Sequence, residues 1–159
     1  MVTGFNIDPS SAPDTESTNF PYRKLVGSLM YLACTSRPDI MYSVSYLSRY
    51  LDKPNKELVT AGKRILRYLK STADKGLVYK KGPEKLEAYS DADWAGDRSD
   101  RKSTSGSLIL YGGNPISWFS KKQTCVALST AEAEYVAAAV SAQELVNLKG
   151  VLSEFSEGK

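Results

Sequence analysis

The chain has 159 residues, 42% of them apolar and 25% charged, the make-up of a soluble protein with one ordinary domain or two small ones. This excludes a wholly disordered chain, a collagen-like repeat and a coiled coil, and no apolar run approaches the ~20 residues of a membrane span. The net charge of +3 conceals an asymmetry, −3 over residues 1–20, +9 over 21–85 and −3 over 86–159, which points to two functional regions, although ordinary solvated helix faces give the same bias.

Residues 1–20, rich in Ser, Thr, Asp and Pro, read as a flexible lead-in. They lack the basic start and apolar core of a secretory signal. From Pro21, suited to a first helical position, the pattern turns helical: Leu25, Val26, Leu29, Met30, Leu32 and Ala33 recur at helical spacing. Thr35-Ser-Arg-Pro38 breaks that helix. Ile40, Met41, Val44, Leu47 and Leu51 mark a second, which Lys53-Pro-Asn55 ends. A third turns Leu58, Ala61, Ile65 and Leu69 inward. On its opposite side Lys56, Lys63, Arg67 and Lys70 fall within about 60° of one another at ~100° per residue. Such a stripe tracks a phosphate backbone, or is an ordinary charged outer face.

After Lys70 the period falls to two. Gly76–Tyr79, Leu86–Asp91, Ser107–Tyr111 and Ile116–Phe119 read as strands, with Gly112-Gly-Asn-Pro115 as a hairpin turn. Thr124–Leu128 reads as a further member of this meander. Ser129 then opens a long alanine-rich helix to about Phe155. The expected fold class is α+β, an antiparallel meander plus a long helix preceded by a helical segment.

The chemistry must rest on few residue types. There is no histidine, so Ser/His and Cys/His catalysis and imidazole metal sites are out. The two cysteines, Cys34 and Cys125, make no disulfide framework, and a reduced intracellular compartment, cytoplasmic or nuclear, is expected. Ser129-Thr-Ala-Glu132 is a capping box, with Ser129 accepting from the Glu132 N–H and Glu132 reaching back to the Ser129 N–H. Glu134 shares a face with Ala137, Ala138 and Ser141, expected to pack on the sheet, where a glutamate is costly without a partner or a cation. The bland alternative is a glutamate at the helix edge favouring the N-terminal dipole. Asp91 and Asp93 lie on one side of an extended strand. Strand carboxylates beside a helix carboxylate favour a hard cation such as Mg²⁺, and a solvated loop over Asp93–Asp97 is the alternative.

Four segments carry a family resemblance: Tyr22-Arg-Lys-Leu-Val-Gly-Ser-Leu-Met-Tyr-Leu32 with Thr35-Ser-Arg-Pro-Asp39; Ala61-Gly-Lys-Arg-Ile-Leu-Arg-Tyr-Leu-Lys70; Tyr89-Ser-Asp-Ala-Asp-Trp-Ala-Gly96 with Arg101-Lys-Ser-Thr-Ser-Gly106; and Ile116-Ser-Trp118, Ser120-Lys-Lys-Gln123 and Leu128-Ser-Thr-Ala-Glu-Ala-Glu-Tyr135. In order and spacing they resemble the C-terminal part of the Pol polyprotein of copia-type LTR retrotransposons. The resemblance implies a reverse-transcriptase thumb or connection segment over residues 21–85 and an incomplete RNase H-like domain over 86–159. It implies catalytic residues Asp91 and Glu134 holding Mg²⁺, with Asp93 as an auxiliary ligand, and cleavage of the RNA strand of an RNA–DNA hybrid. The cationic residues Lys56, Lys63, Arg67 and Lys70 would then hold the hybrid. Arg101, Lys102, Ser103 and Thr104 would contact phosphate or form a solvated turn.

The departures from the family bear on activity. Its third metal-binding aspartate and a later acidic ligand would follow Lys159, and the paired aspartates of the polymerase palm would precede residue 1. The expectation is therefore little nuclease activity in this chain alone. Uncovered apolar positions, Val136, Val140, Leu145 and Leu148, would invite self-association. Two other readings are an RNase H half-site completed by another chain, and a host-retained non-catalytic module that binds nucleic acid or protein. No membrane partner is expected.

Overall fold

The computed structural model describes residues 20–97 and 99–157; the lead-in before Phe20 lies outside the described residues. Among the described residues the fold is α+β, with four α-helices and a three-stranded antiparallel sheet. The chain forms two compact units that divide at Leu77/Val78.

The first unit is helical. Helix α1 spans Tyr22–Thr35, a 3₁₀ turn spans Pro38–Ile40, α2 spans Met41–Ser48 and α3 spans Lys56–Ser71. Pro21 sits just before α1 rather than within it. Helix α1 stops short of Pro38, because the residue before a proline is driven out of the helical region. Its buried stripe is Tyr22, Val26, Leu29 and Ala33, at i, i+4, i+7 and i+11. Leu32, which the periodicity places inward, is exposed. Met41, Val44, Tyr46 and Leu47 of α2 and Leu58, Val59 and Ile65 of α3 complete the core. The Tyr22 hydroxyl donates to the Leu47 carbonyl at 2.9 Å, so the buried phenol is satisfied.

Close approach shapes the packing of α3. A Cβ at Gly62 would come within 2.8 Å of Leu25 Cδ2, so the bare glycine gives room to the Leu25 side chain of α1. The start of α3 is set by Asn55, whose Oδ1 accepts from the Leu58 N–H at 2.9 Å. We expect Asn55→Ala to lower the unfolding free energy of this unit by about 1 kcal/mol, read by urea titration of its helical signal. No change would mean that the cap contributes nothing.

The second unit holds β1 (Leu86–Asp93), β2 (Thr104–Tyr111), β3 (Asn114–Lys122) and helix α4 (Thr130–Glu157), with strand order β1-β2-β3. Gly112 and Gly113 turn the β2–β3 hairpin at φ 59° and 79°, the left-handed region that glycine enters without strain. Two expected strands are corrected. Gly76–Tyr79 forms no strand; Tyr79 Oη donates to the Pro115 carbonyl at 2.9 Å, and beyond it Lys80 N–H donates to Asn114 Oδ1 and Lys80 C=O accepts from Asn114 Nδ2, both at 2.8 Å. Thr124–Leu128 is irregular too. Its Ala127 carbonyl accepts from Trp94 Nε1 at 3.1 Å rather than from a neighbouring strand.

Helix α4 lies on β1 and β2. Its buried stripe is Ala133, Ala137 and Ser141. This corrects the expected phase by one residue: Glu134 and Ala138 are exposed. Gln123 fixes the phase, donating from Nε2 to the Ala133 carbonyl and to Ser105 Oγ, both at 2.9 Å. Of the apolar positions expected to stand uncovered, Val140 is exposed, while Val136, Leu145 and Leu148 are half-buried.

Candidate functional site

The cationic stripe of α3 is displayed as its spacing requires. Lys56, Lys63, Arg67 and Lys70 are all exposed, opposite the buried Leu58 and Ile65. From Lys56 to Lys70 the stripe runs about 21 Å along the helix axis. The Lys63 ammonium stands 5.1 Å from the centre of the Phe20 ring, a cation–π contact that positions one of the four charges.

The acidic residues are arranged differently. In the sheet register Asp91 faces Gly106 and Asp93 faces Thr104 across β1–β2. Ser105 lies on the helix-covered side, because Gln123 joins it to α4. Side chains alternate along a strand. Ala92, opposite Ser105, therefore shares the helix side, and Asp91 and Asp93 share the other. Both aspartates are exposed, and so is Glu134, in the second turn of α4. A Cβ at Gly96 would overlap the Asp93 carboxylate, which this glycine accommodates at the end of β1. No three acidic or thiol side chains among the described residues are grouped so as to hold a metal ion. As placed, these donors do not fit a Mg²⁺ centre.

The capping box at the start of α4 forms, with one change. Ser129 Oγ accepts from the Glu132 N–H at 3.1 Å, while the Glu132 carboxylate accepts from the Leu128 N–H at 2.7 Å rather than from Ser129. Glu132 is thereby assigned to capping. Cys34 and Cys125 are both free and exposed. No helix among the described residues is long and apolar enough to cross a membrane.

Arg101 and Lys102 lie in the β1–β2 loop, whose folding the composition did not foretell. Arg101 takes a left-handed φ of 57° and donates its N–H to the Asp97 carbonyl at 2.8 Å. Arg101 is exposed and Lys102 half-buried, while Ser103 and Thr104 are buried. Ser103 Oγ accepts from the Ala95 N–H at 3.1 Å, so this hydroxyl serves the loop itself.

Asp97, which the alternative of a solvated loop over Asp93–Asp97 would leave in water, is buried. Its carboxylate accepts from Lys122 Nζ at 2.5 Å and from the Ser99 N–H and Oγ at 2.9 and 2.5 Å, and Lys122 also reaches Asp100 at 2.9 Å. Burial alone would push the Asp97 carboxyl up. The Lys122 ammonium and the Ser99 hydrogen bonds outweigh it and hold the group well below the usual carboxylate range. The one sequence signal for this cluster was the Asp-x-Ser turn at 97–99.

A second unanticipated network ties the break after α1 to the end of α3. Arg37 is buried and donates to both carboxylate oxygens of Asp39, to the Thr72 carbonyl and to Thr72 Oγ1. The hydrogen-bonded Arg37 guanidinium holds the Asp39 carboxyl below its ordinary range. Both networks are structural, and neither includes a residue of the cationic stripe or Asp91, Asp93 or Glu134.

The chain is 48% identical over 134 residues to a retrovirus-related Pol polyprotein from transposon TNT 1-94 of Nicotiana tabacum, covering 84% of this chain and 10% of the relative. It is 50% identical over 134 residues to the corresponding polyprotein from transposon RE1 of Arabidopsis thaliana, covering 84% of this chain and 9% of that relative. The chain thus spans about a tenth of the length of these polyproteins. It is also 48% identical over 129 residues to secreted RxLR effector protein 161 of Plasmopara viticola, covering 80% of this chain and 91% of the relative. No protein-family model and no solved structure matches the chain. With half its residues shared across the matched span, and with motifs in the same order, the chain belongs to the retrovirus-related Pol polyproteins of copia-type retrotransposons, of which it corresponds to a partial segment.

Proposed function

We propose that the chain is a reverse transcriptase/RNase H-derived segment that holds an RNA–DNA hybrid through α3 and does not cut it by itself. The observation that carries this reading is the exposed row of Lys56, Lys63, Arg67 and Lys70. Four cations on one straight helix face neutralise phosphates without reading bases, which suits a duplex held irrespective of sequence. Arg101 and Lys102 extend the cationic surface of the second unit. That unit supports an RNase H-like ancestry: an antiparallel meander precedes a long helix, with Asp91 on the first strand and Glu134 on the helix. Hydrolysis in that ancestry runs with Mg²⁺, whereas the exposed, separately placed acids here are too few and too dispersed to support it.

The test is binding and cleavage of a labelled RNA–DNA hybrid by the full chain. Binding should weaken steeply with salt. The double variant Lys63→Glu/Arg67→Glu should lose about tenfold or more in affinity, and its salt slope should fall by about 2. Asp91→Asn should leave binding unchanged. Unaltered affinity in the double variant would remove α3 from the interface. Mg²⁺-dependent cutting that Asp91→Asn abolishes would make the chain a nuclease in its own right.

A further inference from the structure

The cationic face of α3 has no counter-charge among the described residues. Lys63 and Arg67 are neighbours at i, i+4, and Arg67 and Lys70 at i, i+3, spacings at which like charges repel. None of Lys56, Lys63, Arg67 and Lys70 makes an ion pair with another described residue.

The chain enters the first unit on this same face. The Phe20 ring lies against Lys63, its centre 5.1 Å from Nζ. The Phe20 carbonyl accepts from the Tyr22 N–H at 2.6 Å, and Phe20 and Pro21 line a cleft with Leu51 and Pro54. Residues 1–19 are therefore tethered at the middle of the cationic row. They carry Asp8, Asp14 and Glu16 and no Lys or Arg. An extended chain covers about 3.5 Å per residue, so Glu16 can reach about 14 Å from Phe20 and Asp14 about 21 Å. Along the helix axis Arg67 lies about 6 Å from Lys63, and Lys56 and Lys70 about 10 Å. Every cation of the row is within reach, and a short tether supplies an effective concentration on the order of millimolar.

We infer that the acidic segment 1–19 docks on the cationic face of α3 as an intramolecular counter-charge and competes there with polyanions. Exposed ion pairs are individually weak, so the segment restrains binding rather than closing the face, and a densely charged phosphate backbone displaces it. The competition rests on the hybrid-holding role proposed for α3; the docking itself does not.

The experiment compares the full chain with its Asp8→Asn/Asp14→Asn/Glu16→Gln variant, which removes the three charges before Phe20. Without nucleic acid and at low salt, the backbone amide NMR signals of α3 should differ between the two chains, and the difference should collapse at about 0.5 M salt. At low salt the triple variant should bind a labelled RNA–DNA hybrid about threefold or more tightly. The variant Asp74→Asn/Glu84→Gln/Glu154→Gln loses the same net charge at exposed positions elsewhere, and it should gain less than half as much. Coincident α3 signals in the first two chains would overturn the docking. So would an equal gain in the control variant, which would make net charge the cause. A signal difference that grows with protein concentration would assign the contact to a second copy and overturn it as well. Unchanged affinity despite separated signals would overturn the competition. Hybrid bound by none of the chains, with the α3 signals still apart, would remove the hybrid reading and leave the docking standing.

Discussion

Replacing Arg37 by alanine is expected to lower the stability of the first unit by about 2–3 kcal/mol, because the guanidinium and its Thr72 partner are buried while the Asp39 carboxylate is exposed. A whole domain of ordinary size has only about 5–15 kcal/mol to lose. Arg37 is 8% exposed. Its Nε and Nη2 reach the two Asp39 oxygens at 3.0 and 2.8 Å, and Nη1 and Nη2 reach the Thr72 carbonyl and hydroxyl at 3.1 and 2.7 Å. Thr72 follows the last residue of α3, where carbonyls have no partner within the helix. The side chain therefore serves a buried carbonyl and a carboxylate together, and alanine leaves the Thr72 carbonyl with the Lys75 N–H and Asp39 with the Tyr68 hydroxyl. The guanidinium also lies 5.5 Å from the centre of the Tyr68 ring, whose hydroxyl donates to Asp39 at 2.8 Å. Arg37→Lys should recover less than half of the loss, since one ammonium cannot make the parallel pair of bonds that the planar fork makes. Urea unfolding of the helical signal measures both variants. A loss under about 1 kcal/mol for alanine would show that the network is dispensable.

Acid should destabilise the second unit through Asp97. A carboxyl held below its unfolded value contributes stability that is fully present above the unfolded pKa, about 3.9 for an aspartate, and is lost as the pH falls toward the folded value. Asp97 has the depressed folded value, so its contribution should be intact at neutral pH and should drain away below about pH 4. Asp97→Asn removes the charge at every pH and leaves Lys122 with Asp100 alone. We expect it to cost about 3 kcal/mol at pH 7, at the low end for a buried pair because Lys122 is partly exposed. The pH dependence between about 4 and 2 should flatten in the same variant. Thermal melts of the sheet signal across that range check both parts. A variant that keeps the acid-sensitive slope would place the titrating group elsewhere.

Apolar spacing made the three helices of the first unit legible, because one stripe per helix meets a common core. The β2–β3 hairpin was legible because Gly112-Gly113 suits few other turns. What was misread has local causes. Gly76–Tyr79 and Thr124–Leu128 have the short apolar runs of strands, yet they lack a sheet edge that accepts their backbone, and nothing in a five-residue window encodes that. The phase of α4 depends on Gln123 reaching the Ala133 carbonyl from outside the helix, so periodicity among so many alanines was ambiguous by one residue. The shared side of Asp91 and Asp93 followed from alternation. Which side it was did not, because Ala88, Ser90 and Ala92 are as small as surface residues often are. Asp97 looked solvated among Arg98, Ser99 and Asp100. Its burial depends on Lys122, which the chain supplies from the far strand of the sheet. Arg37 stood out only as part of the helix break at 35–38, because its partner at Thr72 is likewise remote in sequence.

The layer between α4 and the sheet is joined by Ser105, Ser107, Gln123, Ala133, Ala137 and Ser141, and the buried oxygens Ser107 Oγ, Gln123 Oε1 and Ser141 Oγ have no hydrogen-bond partner among the described residues. Ile109, fully buried on the same side of β2 as Ser105 and Ser107, is the one large aliphatic side chain among these small ones. The helix is thus pinned by polar bonds at two stations, the Gln123 amide on Ala133 and Ser117 Oγ donating to Glu144 Oε1 at 3.1 Å, more than by interlocking hydrocarbon.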